Sequence, residues 1–266
     1  MRCCSAQVSG VWESPDQTLE KAEECFSRAA RSGAALISFP EQFTTGWDPR
    51  STKNTEDLTG EIVAGFKKLA KKHAIAVIGS FRETFSPKPR NTAIAISRNG
   101  EILATYAKIH LFTPGNEDQA FTPGNELATF TLEGVHMGLA ICYDLRFPEI
   151  FRLYRREGVH AVIVPAAWPQ SRLRHWELFI QSRAAENQMY VAGVNTTGTN
   201  PVDQYAGVSM TADPHGTIIA RAGAGNELLF YEIDPRFVER VRREFPVDND
   251  RRDALYGSLM EKRQEK

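Results

Sequence analysis

Only four of the 266 residues are cysteine: Cys3, Cys4, Cys25 and Cys142. None forms a C-x-x-C pair, and Cys3 and Cys4, adjacent on a strand, would face opposite sides of it. A disulfide scaffold is excluded, and reduced cytoplasm is the expected location. Long hydrophobic runs are also missing. The longest candidates, such as Ala161 to Trp168, are short and contain a proline, whereas roughly 20 apolar residues are needed to span a bilayer. The first eight residues lack the apolar core and small-residue cleavage site of a secretory signal. Neither sign of charge dominates: Lys plus Arg number 32, Asp plus Glu 33, and the net charge is -1. No general attraction for nucleic acid or a membrane surface follows from such a balance. Lys67, Lys68, Lys71 and Lys72 spread along what reads as a solvated helix face.

What the chain does contain is an alternation of strand and helix patterns over its whole length. Residues 2–8 read as a strand. Ser14-Pro15-Asp16-Gln17 carries a helix-start signature, with Ser14 as N-cap, proline first, and Gln17 placed to reach back to the cap. This helix runs to about Arg31 and stops at Gly33. Residues 34–39 form a buried strand ending at Pro40. A helix near 61–73 follows, then strands at about 74–81, 91–98 and 101–107.

The long loop 108–126 comes next, and loops of that length in a compact domain are often functional. Two strands flank Gly134, the second running from Val135 through Ile141 into Cys142. Helices near 147–157, 174–187 and 235–243 alternate with strands near 159–164, 189–195, 205–212, 216–221 and 226–232, and the tail reads as irregular. Asn99-Gly100 and His215-Gly216 signal antiparallel hairpins. With no low-complexity linker, the expectation is one α/β domain over 1–266.

Three polar residues stand directly after apolar strands. Cys142 lies between Val135–Ile141 and Tyr143-Asp144-Leu145-Arg146-Phe147, at a strand-to-helix corner of the kind that exposes a nucleophile and offers backbone N–H groups to the attacked carbonyl. Glu41 follows Leu36–Pro40, where partial desolvation would raise its pKa and improve it as a base. Lys108 ends the strand before Ile109-His110-Leu111-Phe112, and Glu117 lies in the loop beyond. Each alone has an ordinary explanation: a buried structural cysteine, two loop glutamates in water, a solvated lysine at a strand edge. Strand ends are nevertheless where α/β sites assemble.

Phe-Pro-Glu at 39–41, Tyr-Ala-Lys-Ile-His-Leu-Phe at 106–112 and Ile-Cys-Tyr-Asp-Leu-Arg-Phe-Pro-Glu at 141–149 resemble, in order and separation, the three signature blocks of the nitrilase-like carbon–nitrogen hydrolases. The resemblance extends from the first strand to Asp253-Ala254-Leu255-Tyr256, and includes His175-Trp176-Glu177 and the segment Arg183–Gln188. It implies a four-layer α-β-β-α sandwich, a catalytic set of Glu41, Lys108 and Cys142 joined by Glu117, and no metal or organic cofactor. It also implies a homodimer or higher homo-oligomer, with the helix after Cys142 and the 251–256 tail as candidate contacts. The six histidines show no close metal-ligand spacing; His175 reads as a structural hydrogen-bonding residue, and Arg183 with Glu186 as a structural charge pair.

The implied chemistry is amide hydrolysis through a thioester, with Glu41 as proton acceptor, Lys108 favouring the thiolate, and Lys108 with the Tyr143 N–H at the oxyanion. An exposed, low-pKa thiolate open to alkylation or oxidation is expected. The residues after the cysteine differ from the Trp-Glu of the nitrile-cleaving branch. Together with Pro165-Ala166-Ala167-Trp168-Pro169 and His175-Trp176, they look more like the amidases acting on small ω-amides such as 2-oxoglutaramate or on deaminated glutathione. An N-carbamoyl amidohydrolase, a nitrilase and a non-catalytic binding protein on the same fold are the alternatives. Trp168, Phe43 and Phe147 are candidate pocket walls, each equally explicable as core. Arg146, Arg172 and Arg174 are candidates to meet a substrate carboxylate, with surface ion pairing as the alternative for the last two.

Overall fold

A computed structural model describes residues 1–264. In chain order the strands and helices are β1 (Arg2–Gln7), α1 (Pro15–Arg31), β2 (Leu36–Ser38), α2 (Glu61–His73), β3 (Ala76–Glu83), β4 (Arg90–Ile96), β5 (Ile102–Ala107), α3 (Glu117–Ala120), β6 (Thr129–Leu132) and β7 (Val135–Leu139). There follow α4 (Pro148–Arg156), β8 (Ala161–Ala166), α5 (Leu173–Asn187), β9 (Tyr190–Asn195), β10 (Thr197–Thr199), β11 (Gln204–Ala206), β12 (Met210–Ala212), β13 (Ile218–Arg221), β14 (Glu227–Glu232), α6 (Pro235–Glu244) and α7 (Asp253–Gln264).

Two six-stranded mixed sheets result, ordered β14-β1-β2-β3-β4-β5 and β13-β12-β9-β8-β7-β6. Alternation along the strands explains how they stack. In β1, Cys3 joins the core shared by both sheets, while Cys4 joins the core formed with α1 and α2, because successive side chains point to opposite faces. Likewise Leu36 and Ile78 face the second sheet, and Ile37 and Val77 face Phe26 and Phe66 of the helices. On the far side, Phe151 of α4 and Trp176 of α5 pack on the second sheet. The order of layers is therefore helix, sheet, sheet, helix. Both inner strand sets are parallel at the centre, β1-β2-β3 and β7-β8-β9, which buries them on both faces and accounts for their continuous apolar runs.

Several local expectations are corrected. Ser14 precedes α1, but its side chain makes no capping bond; the buried Thr18 hydroxyl instead accepts from Val11 N at 2.8 Å and donates to the Ser14 carbonyl at 3.0 Å. The strand expected over 205–212 is broken into β11 and β12 by positive φ at Gly207 (67°) and Val208 (58°), and β11 turns away to pair with β10. The loop 108–126 contains α3, whose first residue also folds back: Glu117 Oε2 accepts from Phe112 N at 2.7 Å. The tail is helical as α7, since its helix-forming Leu, Met, Glu, Lys, Arg and Gln residues outweigh Gly257. The hairpins at Asn99-Gly100 and His215-Gly216 do join antiparallel strands, with φ near 78° at Gly100 and 79° at Gly216.

Candidate active site

Three chain segments, each leaving a strand, converge here. The first follows β2. Beyond Pro40 the chain turns sharply, with Gln42 at φ 45°, and β3 holds that turn: Gln42 N donates to Ser80 Oγ at 2.6 Å, and Arg82 Nε to Gln42 Oε1 at 3.0 Å. Arg82 is itself buried and paired with Glu13 at 2.9 Å. The Glu41 carboxylate is thereby aimed inward and buried.

The second segment follows β5. Lys108 N donates to Asn91 O and its carbonyl accepts from Gly124 N, both at 2.8 Å. A Cβ on Gly124 would lie 2.2 Å from the Ala107 carbonyl oxygen, so this close approach requires glycine. Lys108 Nζ donates to Glu41 Oε1 at 2.9 Å and to Glu117 Oε2 at 2.8 Å, with all three side chains fully buried. Asn91 Nδ2 bridges the two carboxylates at 2.8 and 3.0 Å, and Ala167 N donates to the remaining Glu41 oxygen at 3.0 Å.

The third segment leaves β7 and reaches Cys142 in the left-handed region, φ 44°, where a non-glycine residue is strained and must be held by its surroundings. The holding is done from Asp144. Its Oδ2 accepts from Ile141 N at 2.9 Å and its Oδ1 from His110 N at 2.9 Å. Arg183 fastens the rest of the turn by donating to the carbonyls of Leu145 and Arg146, both at 3.0 Å. The expected pair of Arg183 with Glu186 is present at 3.2 Å.

The electrostatics differ from expectation. Cys142 is only 9% exposed, and burial followed by the negative charge of Glu41 pushes its thiol well above the ordinary value. The expected site is exposed, with a low-pKa thiolate; here the sulfur is buried, and burial and the Glu41 charge both favour its protonated form. Burial also raises the Glu41 carboxyl, although Lys108 opposes the shift. Burial alone would lower Lys108, but the Glu117 and Glu41 carboxylates more than offset it and hold the ammonium charged. The arrangement is one cation between two carboxylates, with a protonated sulfur beside them.

Cys142 opens onto a small cleft. Of the residues expected there, Tyr143, Arg146, Trp168 and Arg172 line it; Trp47, Phe112 and Asp203, not anticipated, line it too. Arg146 sits 4.8 Å over the Trp168 ring and Arg172 5.4 Å over Phe112. Neither guanidinium is paired with a carboxylate among the described residues. Two expected pocket residues stand elsewhere, and a third borders a neighbouring cavity. Phe43 stacks on Phe39 at 4.7 Å and lines that neighbouring cavity with Trp47 and Tyr205. Phe147 stacks on His110 at 3.7 Å, where Asp144 holds the imidazole. Arg174 lies on an exposed position of α5. His175 approaches Arg146 at 3.4 Å.

Sequence reasoning also passed over Asn91 and Asp144. Asn91 carries little local signal, lying between Arg90 and Thr92 in the polar start of β4; for Asp144, the signal was a carboxylate two residues beyond the cysteine.

Among the described residues no group of three His, Cys, Asp or Glu side chains is arranged to hold a metal ion, and no helix is long and apolar enough to cross a membrane.

A family model described as carbon-nitrogen hydrolase matches residues 2–243. A 2-oxoglutaramate amidase from Bacillus subtilis is 35% identical over 244 residues, covering 91% of this chain and 94% of that one. The omega-amidase NIT2 of Homo sapiens is 33% identical over 245 residues, covering 88% and 89%. Among solved structures, Saccharomyces cerevisiae Nit3, a member of branch 10 of the nitrilase superfamily, superposes with a TM-score of 0.84 at 28% identity, covering 92% of this chain and 94% of that one.

Proposed function

Because the chain belongs to the carbon–nitrogen hydrolase family, we propose that it hydrolyses a small carboxylate-bearing amide, such as 2-oxoglutaramate, through a thioester on Cys142. The coarser activity is not in question: with amidase and omega-amidase relatives over nearly its whole length, the chain is a carbon–nitrogen hydrolase acting on amides.

In this reading Glu41 takes the Cys142 proton as sulfur attacks the amide carbon. Lys108 Nζ and the Tyr143 N–H receive the oxyanion, and such donors are typically worth about 3–4 kcal/mol each. Glu41 passes the proton to the departing nitrogen, which leaves as ammonia. Water then gives a proton to Glu41 and opens the thioester, releasing the acid and restoring the thiol. Glu117 is a positioning residue: its carboxylate and Asn91 fix the Lys108 ammonium on the Glu41 side. A raised Glu41 pKa suits this double duty, because a base that must also act as an acid works best with a pKa nearer the working pH.

The observation that carries the substrate reading is a pair of guanidinium groups with no carboxylate within ion-pair distance among the described residues, against a single acidic residue, Asp203, in the same lining. Arg146 and Arg172 line the same cavity as Cys142, and two unpaired cations beside a nucleophile favour a substrate whose far end is anionic. The single-domain, cytoplasmic and homodimeric expectations fit the same reading. Leu153 on α4 and Tyr256 and Met260 on α7 are exposed apolar side chains along one groove, and all four cysteines are free.

The test is ammonia release from 2-oxoglutaramate, succinamate, a simple aliphatic amide, an N-carbamoyl amine and a nitrile. Preference for the acidic amides by kcat/KM is expected. A preference for the ureido compound or the nitrile would overturn the substrate assignment.

A further inference from the structure

Both arginines of the cleft are held by one side chain. Trp168 follows β8 by two residues and lines the cleft while its residue as a whole is only 2% exposed. Its indole N–H donates to the Arg172 carbonyl at 2.8 Å, which fixes the single turn Gln170–Arg172. Its ring lies 4.8 Å from the Arg146 guanidinium, nearer than the rings of Phe179 at 5.4 Å and Tyr143 at 5.7 Å. A guanidinium over an aromatic face is attracted by the ring and gives up its hydration more readily than an ammonium. The indole therefore anchors Arg172 through the backbone and Arg146 through the side chain.

Trp168 is itself firmly mounted. Asn195, fully buried at the end of β9, accepts from Trp168 N at 2.7 Å and donates to Trp168 O at 3.1 Å and Gly207 O at 2.8 Å. Trp176 and Phe179 of α5 flank the indole, with ring centres 5.5 and 6.4 Å away. The preceding residue, Ala167, gives its N–H to Glu41 at 3.0 Å. One dipeptide is thus fastened to the base at Ala167 and to both cations at Trp168. The cations do not hold themselves together: burial depresses the Arg146 guanidinium, and the Arg172 charge adds to that. With no carboxylate within ion-pair distance of either, the indole does the holding.

We infer that Trp168 determines the specificity of the cleft, by presenting Arg146 and Arg172 together, at a fixed offset from Glu41, to the far carboxylate of the substrate. The inference rests on the acidic-amide reading above and gives Trp168 a role beyond that of a wall. Loss of the indole N–H frees the turn that carries Arg172, and loss of the ring frees Arg146. Either change spreads the cations over several positions, and an acidic substrate must then order them as it binds. The carboxylate contact is the same before and during the reaction, so its weakening raises KM and leaves kcat nearly alone. A neutral amide of the same length makes no such contact and escapes this loss.

Two replacements test it. 3-Benzothienylalanine at position 168, introduced by stop-codon suppression, keeps the two-ring shape and puts sulfur where the indole has its N–H, so the packing against Trp176 is retained. Trp168→Phe removes the N–H and also reduces the platform under Arg146. For each protein, kcat and KM are measured on succinamate and on butyramide, a neutral amide with the same number of carbons. In the benzothienyl protein the ratio of kcat/KM for succinamate over butyramide is expected to fall about tenfold, chiefly through the KM for succinamate, and in Trp168→Phe by at least as much. An unchanged ratio in the benzothienyl protein, or an equal loss on both amides, would overturn the inference. Failure of the underlying reading looks different, because the wild type itself would then show no preference for succinamate.

Discussion

The Tyr106 hydroxyl donates to Asp144 Oδ2 at 2.8 Å, and this bond ties the two sheets together beside the nucleophile. Tyr106 is in β5, two residues before Lys108; Asp144 is two residues after Cys142. The same buried carboxylate also takes the N–H groups of His110 and Ile141, so it sets the distance between the ammonium and the sulfur. Asp144→Asn puts an amide donor where up to four donors converge. The cost should be roughly 2–3 kcal/mol, or about 5–10 °C in Tm, with kcat reduced more than KM is changed. Wild-type Tm and kcat in the purified variant would contradict this.

The pH dependence follows from the direction of the Glu41 shift. Burial raises its carboxyl, and the base works only when ionised, so lowering the pH removes activity as Glu41 gains its proton. The acid limb of kcat/KM should therefore fall above the ordinary glutamate range, with loss on the acidic side. The thiol is also raised, by burial and Glu41, so no gain from a free thiolate is expected near neutral pH. An acid limb at or below an ordinary carboxylate value would refute the desolvated-base account.

Lys108 holds two buried carboxylates apart. Replacing it with Met leaves both charges buried without their cation, a loss of about 3–5 kcal/mol. Adding Glu117→Gln removes one of those charges and should restore part of the stability without restoring turnover. Equal denaturation midpoints for the single and double variants would contradict this.

Arg146→Ala and Arg172→Ala should each lower kcat/KM on an acidic amide by about 10- to 100-fold, the worth of one charge-assisted contact. A neutral aliphatic amide of similar length should be affected far less. Equal losses on both substrates would show that the arginines shape the cavity without meeting a carboxylate.

How much of this was legible in the sequence depended on how local each feature is. The strand ends carrying Glu41, Lys108 and Cys142 were readable because an apolar run followed by an abrupt polar residue is a local signal. The layers followed from the resemblance in the three motif blocks, and alternation within β1 correctly placed Cys3 and Cys4 on opposite faces. What could not be read was tertiary. Whether Phe147 faces the cavity depends on His110, which claims its ring from another segment. Phe43 stacks on Phe39 and lines a neighbouring cavity, not the one that Cys142 opens onto, and Trp47 reaches the site from a loop without regular pattern. The thiol's electrostatic setting is tertiary in the same way. It depends on burial and on the Glu41 charge, groups separated by about a hundred positions in the chain.

The central claim is that Cys142 carries the reaction, and the most direct measurement is ammonia release from 2-oxoglutaramate by purified wild-type protein and by Cys142→Ala at equal concentration. The account predicts turnover by the wild type and none above background in the variant, whose circular dichroism should be unchanged. Turnover that persists in Cys142→Ala would contradict it.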